Sequence, residues 1–143
     1  MSSAGTFLVG TIMDGLSRRI PGDVLVVEDD PIIALDFEET IAGFGVKSVR
    51  TAGSVTRALQ LIDERLPDFA LLDIGLLREK SFAVAERLDA LEIPFAFVSG
   101  YGADVELPAA FAQRPRLPKP CTADELQAVL KSVVSPCTGR GSA

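Results

Sequence analysis

Four carboxylates, one amine and one hydroxyl carry the chemistry this sequence can do. Glu28, Asp29 and Asp30 sit side by side after the apolar run "VLVV" (24–27), and Asp73 interrupts a second run, "FALLDI" (69–74). Ser99 lies within "PFAFVSGYG" (94–102), and Lys119 stands between two prolines in "RLPKP" (116–120). Clustered negative charge at the end of a buried strand is costly unless something positive binds there. Mutual repulsion would raise the pKa values of such carboxyls, and a divalent cation relieves it. An oxygen-only donor set suits Mg²⁺, with Mn²⁺ as a substitute. The bland reading of the "EDD" cluster is an acidic helix N-terminus, where carboxylates favour the dipole. Of the three, Asp30 is the readiest to be merely solvated.

The chain has no histidine. A Ser-His-Asp triad, a Cys-His dyad and imidazole metal ligation are therefore excluded within it, as is a phosphohistidine carrier. Cys121 and Cys137 lie far apart without CxxC spacing, which fits two reduced thiols. The net charge of −6 makes nucleic acid an unsuitable partner. At 143 residues, 48% apolar and 24% charged, the chain suits one folded domain rather than disorder.

Residues 1–22 hold an apolar patch with Arg18 and Arg19 behind it, the reverse of a signal peptide. No run approaches the about 18 apolar residues of a membrane span. A cytoplasmic protein without membrane contact is the expectation. Leu8, Ile12 and Leu16 fit helical spacing and give an added N-terminal helix ending before Pro21 and Gly22. That helix packs on its own domain, mediates homodimer formation, or is loosely ordered; the sequence leaves these open.

Something must bring the polar residues together, and the order of elements supplies it. "VLVV" reads as a buried strand; Pro31 then opens a helix that Gly43 and Gly45 end. "VKSVRTAG" (46–53) is a second strand, and Ser54 caps a helix that Pro67 terminates. "FALLDI" is the third strand, Ser81 caps the next helix, and "PFAFVSGYG" is the fourth strand. Pro108 and Pro115 confine any helix in 103–115 to roughly one or two turns. "RLPKP" is a short fifth strand, and Thr122 caps the last helix. Strands alternating with helices imply a parallel sheet covered on both faces. The fold expected is α/β, a flavodoxin-like (βα)5 doubly wound five-stranded parallel sheet over residues 23–134, with 135–143 a flexible tail. Such folds bind ligands beyond the carboxyl ends of their strands, which is where the unusual polar residues fall.

With "VLVVEDDP", "PDFALLDI", "IPFAFVSGYG" and "LPKP" in this order, residues 23–134 resemble the CheY-like receiver domain of two-component response regulators. The resemblance implies that Asp73 is the phosphoacceptor, receiving a phosphoryl group from a histidine kinase or a histidine phosphotransfer protein. It implies Mg²⁺ held by Glu28, Asp29, Asp73 and the backbone carbonyl of Gly75. Ser99 takes the place of the family's Ser/Thr switch, and Lys119 that of its lysine followed by proline. Signalling would then run through a downstream protein target.

The commonest receivers carry a proline four residues after the phosphoacceptor and a glycine eight after it. Here those places hold Leu77 and Ser81. "DIGLLREKS" with "PFAFVSGYG" resembles instead the subgroup named for its Phe-Ala-Thr-Gly-hydrophobic-Tyr (FAT GUY) motif, typical of alphaproteobacterial single-domain regulators of general stress. Val98 and Ser99 stand in place of the motif's Ala and Thr. Many receivers also carry a Tyr or Phe on strand five; near Arg116 this chain has none, and Tyr101 is expected to carry the switch with Ser99. Too few residues follow 134 for a DNA-binding output domain. Two alternatives stand beside this reading. An aspartyl-nucleophile Mg²⁺-dependent phosphatase needs a second acid two residues after the nucleophile, where Gly75 stands. A pseudo-receiver would use the fold only for binding, and would leave the set of Glu28, Asp29, Asp73, Ser99 and Lys119 without a purpose.

Overall fold

A computed structural model of the chain describes residues 20–75, 81–100 and 107–141, with side chains to residue 132. The N-terminal helix expected over 1–22, apart from its last residues, and Tyr101 lie outside the described residues. Strands β1 (Asp23–Val27), β2 (Ser48–Ala52), β3 (Phe69–Asp73), β4 (Phe95–Ser99) and β5 (Arg116–Pro118) form one parallel sheet in the order β2-β1-β3-β4-β5. Helices α1 (Pro31–Gly43), α2 (Val55–Glu64), α3 (Phe82–Ala90) and α4 (Ala123–Gly141) connect and cover it. The chain leaves β1 towards β2 and then returns past β1 to β3, so strand order reverses between β1 and β3. That reversal opens a crevice at the carboxyl ends, the flavodoxin-like arrangement.

Period-two alternation in the central strands builds two cores. Leu25, Val27, Ala70, Leu72, Phe95 and Phe97 face one side, against Leu61 and Ile62 of α2 and Val84 and Leu88 of α3. Val24, Val26, Phe69, Leu71, Ala96 and Val98 face the other, against Phe37 and Ile41 of α1 and Leu126 and Leu130 of α4. Both faces are covered, which is why β1 after Asp23 and β3 before Asp73 are apolar without interruption.

Side chains fix the helix starts. Asp30 caps α1, accepting from the amides of Ile32 at 2.9 Å and Ile33 at 3.3 Å, with Pro31 at the first position. The Ser54 hydroxyl accepts from the Arg57 amide at 3.1 Å. Thr122 and Glu125 form a reciprocal capping box on α4, at 3.1 and 2.8 Å. Past α1, Gly45 adopts φ +101°, a left-handed turn that a side chain would strain.

Two expectations are corrected. Ser81 caps nothing through its side chain: its backbone, at φ −80° and ψ 12°, is not the extended conformation that aims a capping hydroxyl at the first turn. The hydroxyl is instead buried without a hydrogen-bond partner among the described residues. The last helix does not stop before 135 but runs to Gly141, through Pro136 and Gly139. Proline deletes one intrahelical bond yet holds φ near −65°, so it weakens a helix without obliging it to end. Between β4 and β5, the helical structure among the described residues is one 3₁₀ turn, Ala109–Phe111, whose Phe111 ring packs edge-on against Phe95 at 5.7 Å.

The amino-end rim of the sheet is held by charge. Asp23 accepts from Arg50 Nε at 3.2 Å and Nη2 at 2.8 Å, and from Arg65 Nε at 3.2 Å. Arg50 also donates to the carbonyls of Leu61 and Arg65, both at 2.8 Å, tying β1 and β2 to the end of α2. Asp23→Asn strands two guanidinium groups against a nearly buried amide. Its expected loss is about 2–3 kcal/mol of unfolding free energy, the buried-pair penalty reduced because Arg65 is solvated. Urea denaturation measures this, and the chemistry at the opposite rim should be untouched.

Candidate functional site

Parallel register sets the site before any side chain is considered. Val27 pairs with Leu72, Asp73 with Val98 and Ser99 with Pro118, so β1, β3, β4 and β5 end along one rim. The residues following those ends must therefore crowd together. Glu28 comes off β1 with its amide still bonded to the Ala52 carbonyl at 2.9 Å, which turns its side chain inward.

At the centre is the Lys119 ammonium. Its Nζ lies 2.9 Å from Glu28 Oε1 and 3.1 Å from Asp73 Oδ2. The side chains of Glu28, Asp73 and Lys119 are 1%, 5% and 16% exposed, so this is a desolvated triad and not a surface ion pair. The second oxygen of Glu28 accepts from the Asp30 amide at 3.1 Å. Asp73 Oδ1 accepts from the Gly75 amide at 3.2 Å. Lys119 is held through its backbone amide, which donates to the Ser99 carbonyl at 2.8 Å.

Burial raises the Glu28 carboxyl above the usual glutamate range, helped by the Asp73 charge, although the bonds from Lys119 and the Asp30 amide pull the other way. For Lys119, burial is the largest single influence and pulls downward, but the hydrogen bonds and charges of Glu28 and Asp73 together carry it above the ordinary lysine value. One lysine thus does not fully compensate the acidic cluster. A divalent cation would.

The donor set fits such an ion. One carboxylate oxygen from each of Glu28, Asp29 and Asp73 lies within 4.8 Å of the others, and all are hard oxygen donors of the kind Mg²⁺ and Mn²⁺ prefer. The three adjacent acids divide their labour: Glu28 is buried, Asp29 half-buried, and Asp30 an exposed helix cap. Gly75 is exposed two residues past Asp73.

Ser99 is half-buried at the end of β4, and its Oγ accepts from Arg116 Nε at 3.4 Å. This contact was missed in the sequence. The β4–β5 register reveals it: Arg116 pairs with Phe97 and so shares a sheet face with Ser99. Beside Lys119, a cleft of about 400 Å³ opens between α1 and the segment after β5, lined by Ile32, Asp36, Phe37, Gly100, Pro120 and Cys121 among others. Burial raises the pKa of the Cys121 thiol, helped by the nearby charge of Glu125.

Comparison with known proteins agrees with this fold. Residues 24–131 match the family model for the response regulator receiver domain. The chain is 31% identical over 100 residues to the phyllosphere-induced regulator PhyR of Methylorubrum extorquens, covering 65% of this chain and 38% of that protein. It thus spans well under half the length of that curated relative. The solution structure of SdrG from Sphingomonas melonis Fr1 matches with 37% identity and a TM-score of 0.69, over 78% of this chain and 95% of that one. The BeF3-activated conformation of SdrG from Pseudomonas melonis Fr1 matches with 35% identity and a TM-score of 0.67, over 79% and 96%.

Proposed function

This chain belongs to the response regulator receiver domain family of two-component systems, and from that premise we propose that it accepts a phosphoryl group on Asp73 from a histidine kinase or a histidine phosphotransfer protein. The observation that carries the reading is the Lys119 ammonium bridging Glu28 and Asp73 at 2.9 and 3.1 Å, beneath an oxygen-only cluster. The likeness to PhyR and SdrG supports the resemblance of the sequence to the FAT GUY subgroup of general stress regulators.

In the proposed transfer an Asp73 carboxylate oxygen attacks phosphorus, the donor's bond to phosphorus breaks, and the electron pair leaves with the donor. Asp73 becomes an acyl phosphate. A carboxylate is a weak nucleophile, so positioning and charge neutralisation must supply most of the rate. Lys119, already within hydrogen-bond distance of Asp73, stabilises charge gathering on the phosphoryl oxygens. The Ser99 hydroxyl donates to one of those oxygens. Glu28, Asp29 and Asp73, with the Gly75 carbonyl, would hold Mg²⁺, which when bound neutralises the phosphoryl charge.

Output follows from a change at Ser99 and the 100–116 surface, with Tyr101 in that segment, read by a downstream protein target. On α1, Ile32 is 78% and Leu35 52% exposed, beside the site, which suits transient contact with a protein partner. Among the described residues no helix is long and apolar enough to cross a membrane.

Purified protein incubated with acetyl phosphate and Mg²⁺, then weighed intact, should gain one phosphate, release it slowly and show no multiple turnover on generic phosphomonoesters. A chelator should suppress the gain by about tenfold or more, because the uncompensated carboxylates then repel the donor. Unchanged mass with Mg²⁺ present contradicts the reading.

A further inference from the structure

The Ser99 backbone is fixed while its hydroxyl is not. Its carbonyl accepts from the Lys119 amide at 2.8 Å, which locks β4 to the segment after β5. The remaining freedom at this residue is rotation of the side chain. A serine hydroxyl has one donor and two acceptor positions, so its orientation is set by the partner that claims it.

That partner is Arg116. It pairs with Phe97 across the β4–β5 ladder, while Ser99 pairs with Pro118, so Arg116 lies diagonally behind Ser99 on the same face. Arg116 Nε donates to Ser99 Oγ at 3.4 Å. Arg116 is exposed on the short last strand and makes no ion pair among the described residues. Among the described residues, the hydroxyl is the side-chain acceptor that the Arg116 guanidinium holds. At 3.4 Å the bond is long, so it biases the hydroxyl and does not trap it.

We propose that Arg116 is a positioning residue for Ser99, holding the hydroxyl at the β4–β5 boundary until a phosphoryl group on Asp73 draws it away. The inference rests on the phosphoacceptor reading of Asp73. Phosphorylation then exchanges one charge-assisted hydrogen bond for another, and the Arg116–Ser99 contact opposes activation by a small margin.

Three proteins separate this from a packing role: the wild type, Arg116→Met and Arg116→Lys. Methionine keeps an apolar stem along the sheet but has no donor, whereas lysine keeps a cationic donor. Each is followed by its labelling rate with acetyl phosphate and Mg²⁺, and by the NMR amide resonances of Ser99 and Gly100. In unphosphorylated Arg116→Met those resonances should move towards their phosphorylated wild-type positions. Its labelling rate should rise roughly two- to tenfold, the range of one net hydrogen bond. Arg116→Lys should return both towards the wild type. If the wild type is labelled but Arg116→Met matches it in both rate and resonances, the positioning role is overturned while the phosphoacceptor reading stands. If the wild type takes up no phosphate, that reading fails and the role of Arg116 falls with it.

Discussion

Asp73→Asn should remain folded and take up no phosphate from acetyl phosphate under conditions that label the wild type. The amide is nearly isosteric with the carboxylate, but its single oxygen can keep only one of the two bonds that Asp73 accepts, from the Gly75 amide and from Lys119. It is not a nucleophile towards phosphorus, so the labelling rate should fall by on the order of 10³ or more. The substitution also removes one of three carboxylates packed within 4.8 Å. Repulsion in the metal-free protein therefore drops, and unfolding free energy should change by no more than about 1 kcal/mol in either direction. Intact mass and a urea titration on the same preparation measure both effects. Labelling of the asparagine variant at the wild-type rate would move the acceptor elsewhere.

Lys119→Met should injure both chemistry and stability. Removing the ammonium deletes the positive charge nearest the acceptor oxygen, and a single preorganised donor of this kind is worth about 10²–10³ in rate. It also leaves Glu28 and Asp73, both almost fully buried, facing each other without a cation. Breaking a buried pair from one side typically removes about 3–5 kcal/mol, and the 16% exposure of Lys119 places the expected loss near the lower end.

The pH dependence has a definite sign. Glu28 already titrates above the usual glutamate range in the intact triad, and loss of the ammonium that opposes this raises it further. A carboxyl whose folded pKa exceeds its unfolded one contributes stability at low pH that is lost as pH rises through the folded value. The deficit of Lys119→Met should therefore be greatest near about pH 7 and shrink towards about pH 5 as Glu28 takes up a proton. Urea midpoints at the two pH values measure it. A deficit that grows on acidification would mean the carboxylates are not the groups left uncompensated.

The sheet was readable because burial on both faces forces the interiors of β1 and β3 to be apolar, leaving acids only at strand ends, as at Asp23 and Asp73. The rim followed from topology: parallel strands end together, so Glu28, Asp73, Ser99 and Lys119 had to be neighbours. Adjacency alone could not sort the three acids. Which of Glu28, Asp29 and Asp30 turns inward depends on the backbone leaving β1, where the Glu28 amide still pairs with Ala52 and the Asp30 oxygen is committed to the first turn of α1. Ser81 looked like a cap because serine before a helix usually is one; the sequence holds no sign that its backbone departs from the extended conformation. Residues 135–143 were expected as a flexible tail, whereas the last helix continues to Gly141. The Arg116–Ser99 contact joins residues on different strands, and only the β4–β5 register reveals it.

The most direct test labels the wild-type protein with acetyl phosphate and Mg²⁺, reduces the product with borohydride and maps the modified peptide. Hydride converts an aspartyl phosphate to homoserine, which marks the acceptor permanently. The account predicts homoserine at position 73 and nowhere else. Homoserine at 29 or 30, or a phosphate that survives borohydride as a serine or threonine ester, would contradict it.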